Sequence, residues 1–292
     1  MKLTKSNMET FLVTGATGNI GSRVVSQLLT KGARVRALTR NPESANLPPE
    51  VEIVRGDLSD PATFDRCLDG VDAVFLVWLA PVAAAASALA QIAKCARRIV
   101  FLSSPHRTPH PFFQQPNPMA TLHAEIERLI QTSGLQWIFL RPGAFAINAR
   151  NWWAQQIRQG DIVRWPYAAA ATAPIHECDV ASVAVRALCE DGHAEAEYVL
   201  TGPQSLTQKE QVSVIGEVIG RPLRFEEISP DGRNVRCALA CLLPSQICCS
   251  TRLPPPSVNP HSSHPQLRRS LELRHSRSMT GRLITLPSFV RR

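Results

Sequence analysis

Several features that would place a chain quickly are missing here. The first ten residues, MKLTKSNMET, contain no apolar run, so no signal peptide is expected. None of the eight cysteines forms a CxxC pair. Cys67, Cys95, Cys178 and Cys189 are scattered at no ligand-like spacing, which argues against a metal ribbon or a disulfide framework. They read as small core residues in a reducing compartment, and a cytoplasmic location is expected. Tyrosine is scarce, with only Tyr167 and Tyr198 in 292 residues. One stretch, AVFLVWLAPVAAAASALA at 73–90, is long and uncharged enough to suggest a membrane span. Pro81 falls in its middle and its second half is mostly alanine, so it reads as a buried strand followed by a helix opening at Pro81. No membrane partner is expected.

A net basic charge is missing from most of the chain, despite a formal net of +8. Residues 231–292 contain ten Arg, no Lys, one Asp and one Glu, and the first 230 carry 22 basic and 22 acidic residues. A body of zero net charge gives no electrostatic reason to expect nucleic acid. What remains is a globular composition, 44% apolar over 292 residues, able to bury a substantial core.

Short apolar runs alternate with helix-like segments. FLVT (11–14), RVRALT (34–39), VEIVRG (51–56), AVFLVW (73–78), RIVFLS (98–103) and WIFLRP (137–142) read as strands. Several are apolar at nearly every position, as in parallel strands covered on both faces. Between them, helices are expected over 19–30, 61–68, 81–96 and 119–133, the last closed by Gly134. The alternation predicts an α/β fold with an open, parallel, doubly wound sheet. Beyond Gly143 it loosens into helices at 144–160 and 176–192, a strand at EYVLTG, a helix at 206–220 and a last strand at LRFEEIS. These predict a smaller lobe over the sheet's C-terminal edge. The expected organisation is a core at 9–143, a substrate lobe at 144–230 within the same structural unit, and an irregular basic tail at 231–292.

Gly15, Gly18 and Gly21 follow the first strand and open a helix. Gly15 permits the tight turn, Gly18 lets backbone approach a pyrophosphate, and Gly21 lets the helix pack closely. The helix N-terminus offers free N–H groups and its positive dipole end to the phosphates. Thr17, Asn19 and Ile20 complete the expected cradle. An NAD site places an acid about 20 residues further on, at the end of the second strand. Here that end reads ALTRNP, with Arg40 and no acid. A guanidinium there can clamp a 2′-phosphate, so NADP(H) is expected over NAD(H). Asp57 and Leu58, after the third strand, stand where an adenine edge would be contacted.

VTGATGNIG, RALTRNP, GDLSD and SGLQWIFLRPGAF together resemble the NmrA-like, atypical short-chain dehydrogenase/reductase family, and DVASVAVRAL and RFEEIS extend the match to about residues 9–230. The resemblance implies a Rossmann core, a small C-terminal substrate lobe and bound NADP(H) or NAD(H). Members include NADPH-dependent quinone and enone-type reductases, and also silent proteins that sense the nucleotide and bind regulators. Both readings stay open: a reductase of a small molecule, or a sensor acting through a protein partner.

Active short-chain dehydrogenases carry a Tyr-x-x-x-Lys pair on the helix after the fifth strand. The corresponding residues here are Met119 and His123, and neither tyrosine precedes a lysine by four. Tyr/Lys alcohol–ketone chemistry is therefore not expected. His123 is read as a proton donor, as a partner of the nicotinamide ribose, or as a packed helix histidine. Ser103 and Ser104 end the fifth strand where the family keeps its catalytic Ser or Thr; they are read as bonding a substrate carbonyl or as only finishing the strand, and Ser103 is taken as the catalytic candidate. Pro142 lies in the segment that passes the nicotinamide in the family. Phe145, Trp152 and Trp153 are expected to wall a pocket for a flat ligand, with Phe145 and Trp152 taken as the pocket candidates and inter-helix core as the alternative. His106, His110 and His176 show no metal-ligand spacing, and no metal is assigned.

From about Arg233 the text changes. It has three consecutive prolines, no sustained periodicity and half of the chain's cysteines. Such a composition predicts disorder. An out-of-frame translation beginning near codon 231 would also produce it, and reading the coding DNA in its other two frames tests that.

Overall fold

The computed structural model describes residues 9–63, 65–106 and 118–229; the expectations for the 231–292 tail and for His110 lie outside these. Described residues fall into two compact units, one formed by 9–149 with 169–211 and the other by 150–168 with 212–229.

The first unit is a seven-stranded, wholly parallel sheet. In chain order its first six strands are β1 (Thr10–Thr14), β2 (Arg34–Thr39), β3 (Glu52–Arg55), β4 (Ala73–Leu76), β5 (Arg98–Leu102) and β6 (Gln136–Pro142). The helices between them are α1 (Gly21–Thr30), α2 (Asp65–Leu68), α3 (Ala85–Cys95) and α4 (Pro118–Gln131). After β6 come α5 (Ile147–Gln159), β7 (Ile162–Trp165), β8 (Ala171–Thr172), α6 (Glu177–Cys189), β9 (Ala196–Leu200), β10 (Leu206–Thr207), α7 (Gln208–Val218) and β11 (Arg224–Glu227). The sheet order is β3-β2-β1-β4-β5-β6-β9. The chain therefore leaves β1 in one direction for β2 and β3, then crosses to its other side for β4. That reversal is the switch point where open α/β sheets hold ligands, beyond the C-terminal ends of the strands.

Apolar sequence on both faces of the strands explains the layering. Phe11 and Val13 of β1 pack with Val24, Val25 and Leu28 of α1 and Val180, Ala184 and Leu188 of α6. Leu12, between them, faces the other way, into a cluster with Leu89 and Ile92 of α3 and Ile126 and Ile130 of α4. The two-residue alternation of a strand thus serves two cores, one on each side of the sheet. The stretch 73–90 divides as expected into β4, a 3-10 turn at Val82–Ala84 and the start of α3. No described helix is long and apolar enough to cross a membrane.

The expected boundary at 143/144 is corrected. β9 pairs along β6 from Ile138↔Ala196 to Pro142↔Leu200 and becomes the seventh strand of the main sheet, and α6 packs on its α1 face. The second unit is discontinuous. Its β7 pairs in parallel with β11, and its core holds Trp153, Ile157, Val163, Trp165 and Ile215. The expected helix at 206–220 begins later, at Gln208. Thr207 and Glu210 form a reciprocal capping box: Glu210 N–H donates to Thr207 Oγ1 and Glu210 Oε2 accepts from Thr207 N–H.

Candidate active site

The β1–α1 loop has the form of a phosphate cradle. Gly15 sits at φ +62°, where L side chains strain, and a Cβ there would also press on Val77 at 3.1 Å. A Cβ on Gly21 would lie 2.1 Å from the Gly15 carbonyl oxygen, so this helix residue packs against the turn itself. Thr14 Oγ1 accepts from Val77 N–H at 2.7 Å and ties together the ends of β1 and β4, the strands that flank the switch point. Thr17, Gly18 and Asn19 are exposed at the lip, while Ile20 is buried and anchors the loop. No side chain caps α1, and its first turn carries no acid. The helix start is open to an anion, and the residues present fit a dinucleotide pyrophosphate.

Arg40 follows β2 directly and is exposed. On the neighbouring strand, Arg55 donates to the Arg40 carbonyl at 3.3 Å and to Glu43 at 2.5 Å. Glu43 thus already has a partner in Arg55, and Arg40 itself remains exposed. Asp57, beyond β3, accepts from the Ser59 N–H and Oγ at 2.8 and 2.7 Å. Those bonds, with the Arg40 charge, hold its carboxyl below the usual range. Leu58 is half-buried beside it.

At the other side of the switch point, β5 ends in Ser103 and Ser104, and α4 runs beside them. Ser103 N–H bonds to the Leu140 carbonyl at 2.8 Å and extends the β5–β6 ladder. Its hydroxyl donates to Glu127 Oε1 at 2.6 Å. The same carboxylate accepts from Arg141 Nε at 2.9 Å, from Arg141 Nη2, and from His106 Nε2 at 2.8 Å. Arg141 also reaches Glu197 on β9 at 2.7 Å. The Arg141 and Glu127 side chains are each only 4% exposed. Burial raises the Glu127 carboxyl pKa, but the hydrogen bonds from Arg141, Ser103 and His106 and the Arg141 charge outweigh it and leave it lowered. Four donors fill the four acceptor positions of an ionised carboxylate. Ser103 thus spends its proton inside the protein, which corrects its expected part as donor to a substrate carbonyl.

His123, one turn before Glu127, lies with Nδ1 2.8 Å from Ser104 Oγ and its ring edge-on to Phe101 at 5.6 Å. Burial, opposed by the Glu127 charge and assisted by His106, lowers its pKa to about 4. At that value the ring is neutral at pH 7. Sequence reading passed over Glu127 and Arg141. An arginine inside the apolar strand WIFLRP was the available signal, because a strand covered on both faces must give it a carboxylate.

The pocket expectation is also corrected in part. Trp152 is stacked on Trp165, with centroids 5.6 Å apart, and meets Trp153 edge-on. It belongs to the aromatic core of the second unit, where large rings bury most area against one another. Phe145 bridges to Ile175 and packs half-buried on the core beneath α6. Pro142 is the buried last residue of β6. Tyr198 bonds to His193 at 2.7 Å and lies on β9.

Residues 15–191 match the model of a family described as NAD(P)H-binding. A (4-alkanoyl-5-oxo-2,5-dihydrofuran-3-yl)methyl phosphate reductase from Streptomyces griseus is 38% identical over 246 residues, 81% of this chain and 82% of that protein. An NAD(P)H azoreductase from Xenophilus azovorans is 34% identical over 222 residues, 75% of this chain and 77% of the relative. Among solved structures, an NADPH-dependent quinone oxidoreductase from Escherichia coli complexed with NADPH shares the fold at a TM-score of 0.64 and 21% identity, covering 82% of this chain and 85% of that one.

Proposed function

The chain belongs to the NAD(P)H-binding family, and from that premise we propose that it is an NADPH-dependent reductase of a small quinone- or enone-type acceptor. The observation that carries the reading is the cradle: a turn with no room for a Cβ at Gly21, opening an uncapped helix. In this reading Gly15, Thr17, Gly18, Asn19, Ile20 and Gly21 hold the pyrophosphate through backbone N–H groups and the α1 dipole. Arg40 holds the 2′-phosphate and sets the preference for NADP(H) over NAD(H). Asp57 and Leu58 meet the adenine, and Pro142 closes the nicotinamide side. Bound there, the dihydronicotinamide supplies a hydride to an electron-poor carbon.

Support for the acceptor class comes from two directions. The Streptomyces relative is named for an oxo-dihydrofuran carrying an alkanoyl group, an unsaturated carbonyl compound. The residues at 119 and 123 are Met and His, so no phenol–ammonium pair supplies a proton to a simple ketone. Acceptors whose reduction leaves a delocalised enolate or quinol anion tolerate that lack, because water can protonate them. His123, neutral and buried, bonds and positions rather than donating a proton.

The test is NADPH oxidation by the purified protein, followed at the nicotinamide absorbance against a panel of quinones and enones, with NADPH and NADH affinities titrated in parallel. Turnover with NADPH favoured is expected. Tight NADPH binding without turnover on any acceptor would replace the reductase with a nucleotide sensor, and absence of binding would overturn both.

A further inference from the structure

Between Asp72 and Lys94 the chain carries no charged side chain, and part of that stretch is left in solvent. Leu79, three residues past β4, is 70% exposed, and Val82 is 43% exposed. Pro81 and Ala83 beside them are exposed as well. Apolar residues exposed singly are ordinary on a protein surface, but four within five positions, with no charge among them, form a patch. Its place in the fold is central. At one end Val77 lies under the glycine turn, 3.1 Å from where a Cβ on Gly15 would stand, and its N–H is held by Thr14 Oγ1. At the other end the 3-10 turn Val82–Ala84 lies against α4, the helix of His123. The strip therefore runs past the end of β4 from the nucleotide cradle to the β5/α4 site.

Building on the reductase reading above, we infer that this strip binds an alkyl chain carried by the acceptor, so that the substrates are quinones or enones with an aliphatic substituent of several carbons. The reducible head lies between the cradle and His123, and the chain that leaves it runs over Leu79, Pro81 and Val82. An uncharged strip offers nothing for a phosphate, carboxylate or ammonium to pair with, which excludes a charged substituent there. It is also too small for a protein partner. Four residues, two of them proline and alanine, present far less than the roughly 800 Å² per partner that a standard interface buries. An alkyl chain fits both limits, because it gains from apolar contact and asks for no hydrogen bond.

The size of the effect follows from area. Full burial of a methylene is worth about fourfold in affinity. The strip covers a chain from one side only, so about twofold per methylene is expected, levelling off once the chain outruns Val82. From a methyl to a hexyl substituent the gain is about 30-fold. Leu79 supplies the larger share, being the bigger and more exposed of the two main side chains. Because both are exposed, replacing them by serine leaves the core intact.

Two measurements on the full chain test this. The first is kcat/KM with NADPH and 2-alkyl-1,4-benzoquinones from methyl to hexyl, read as a slope against chain length. Leu79→Ser combined with Val82→Ser should cut the rise to less than about fivefold. Val199→Ser, which removes an exposed apolar side chain on β9, should keep the wild-type slope. The second measurement takes 4-alkylphenols from methyl to hexyl with excess NADP+, and reads their dissociation constants by calorimetry. It should show the same two slopes without turnover. A wild-type slope in the double variant overturns the inference, as does a wild type whose phenol affinity is independent of chain length. A double variant whose oligomeric state changes while its slope does not gives the strip to a second copy of the chain, and overturns it too. Should the wild type reduce none of the quinones, the reductase reading fails, and the phenol slopes decide the strip by themselves.

Discussion

The loop after β1 and the ends of β5 and β6 lie at the same edge of the sheet but are built in opposite ways. The loop is made of backbone: seven consecutive residues from Gly15 to Gly21, with no Cβ at the crowded point. Its binding groups are N–H donors that any sequence of that conformation presents. The β5/β6 end is made of side chains from five places, Ser103, His106, Glu127, Arg141 and Glu197, meeting in one buried network. A cradle of this kind depends on local conformation, while the side-chain network beside it depends on which strands become neighbours.

The largest effect is expected in the side-chain half. Arg141→Met leaves Glu127 ionised, buried and without its main partner, and should cost about 3–5 kcal/mol in urea unfolding. Removing both charges together, as Arg141→Met with Glu127→Gln, should recover a good part of that, because the uncompensated carboxylate is what destabilises. If the double variant is no more stable than the single, the network is not a coupled unit.

In the backbone half the counterpart is Gly21→Ala. A Cβ 2.1 Å from the Gly15 carbonyl cannot fit without moving the turn. About 2–3 kcal/mol of stability should be lost, together with NADPH affinity in a titration. Retained affinity would mean that the loop does not bind the pyrophosphate in the conformation described.

The same contrast decides how much was legible in the sequence. β1 to β6 and the glycine turn could be read because each is specified within a few residues: an apolar run, then glycines at fixed spacing. Short elements could not. β8 and β10 have two residues each, too few for any period to show. β9 was read as a strand but assigned to the substrate lobe and not to the main sheet, since nothing in AEYVL says that β6 is its partner. Glu127 looked like the polar face of an amphipathic helix, and only the pairing of β5 with β6 brings Arg141 and Ser103 to it. Trp152 was misplaced for a related reason: its partner, Trp165, follows 13 residues later on a strand that the sequence did not reveal.

His123 joins the comparison through pH. An unfolded histidine titrates near 6.5, while burial holds the folded one at about 4. Between these values the unfolded chain binds the extra proton and the native state does not, so this group destabilises the fold as pH falls from about 7 toward 4. The loss amounts to at most about 3 kcal/mol. His123→Gln lacks it, so unfolding measured at pH 7.5, 6 and 5 should show a flatter stability curve for the variant. Parallel curves would mean that the ring is solvated and free to protonate.

The smallest effect is expected where the cradle meets solvent. Arg40 is exposed, and a charge-assisted bond to a 2′-phosphate there is screened by water and salt. Arg40→Ala should weaken NADPH about tenfold and leave NADH nearly unchanged, and that difference should shrink as ionic strength rises. Arg40→Asp should go further, placing at the end of β2 the acid that favours a ribose 2′-hydroxyl over a phosphate. Arg55 and Glu43 make the control. They neutralise each other beside Arg40, so Glu43→Gln frees the Arg55 head group and should tighten NADPH slightly. If Arg40→Ala weakens both nucleotides equally, Arg40 only supports the loop and sets no preference between them. If it weakens neither, β2 does not end at the ribose, and the cradle holds its nucleotide by backbone alone.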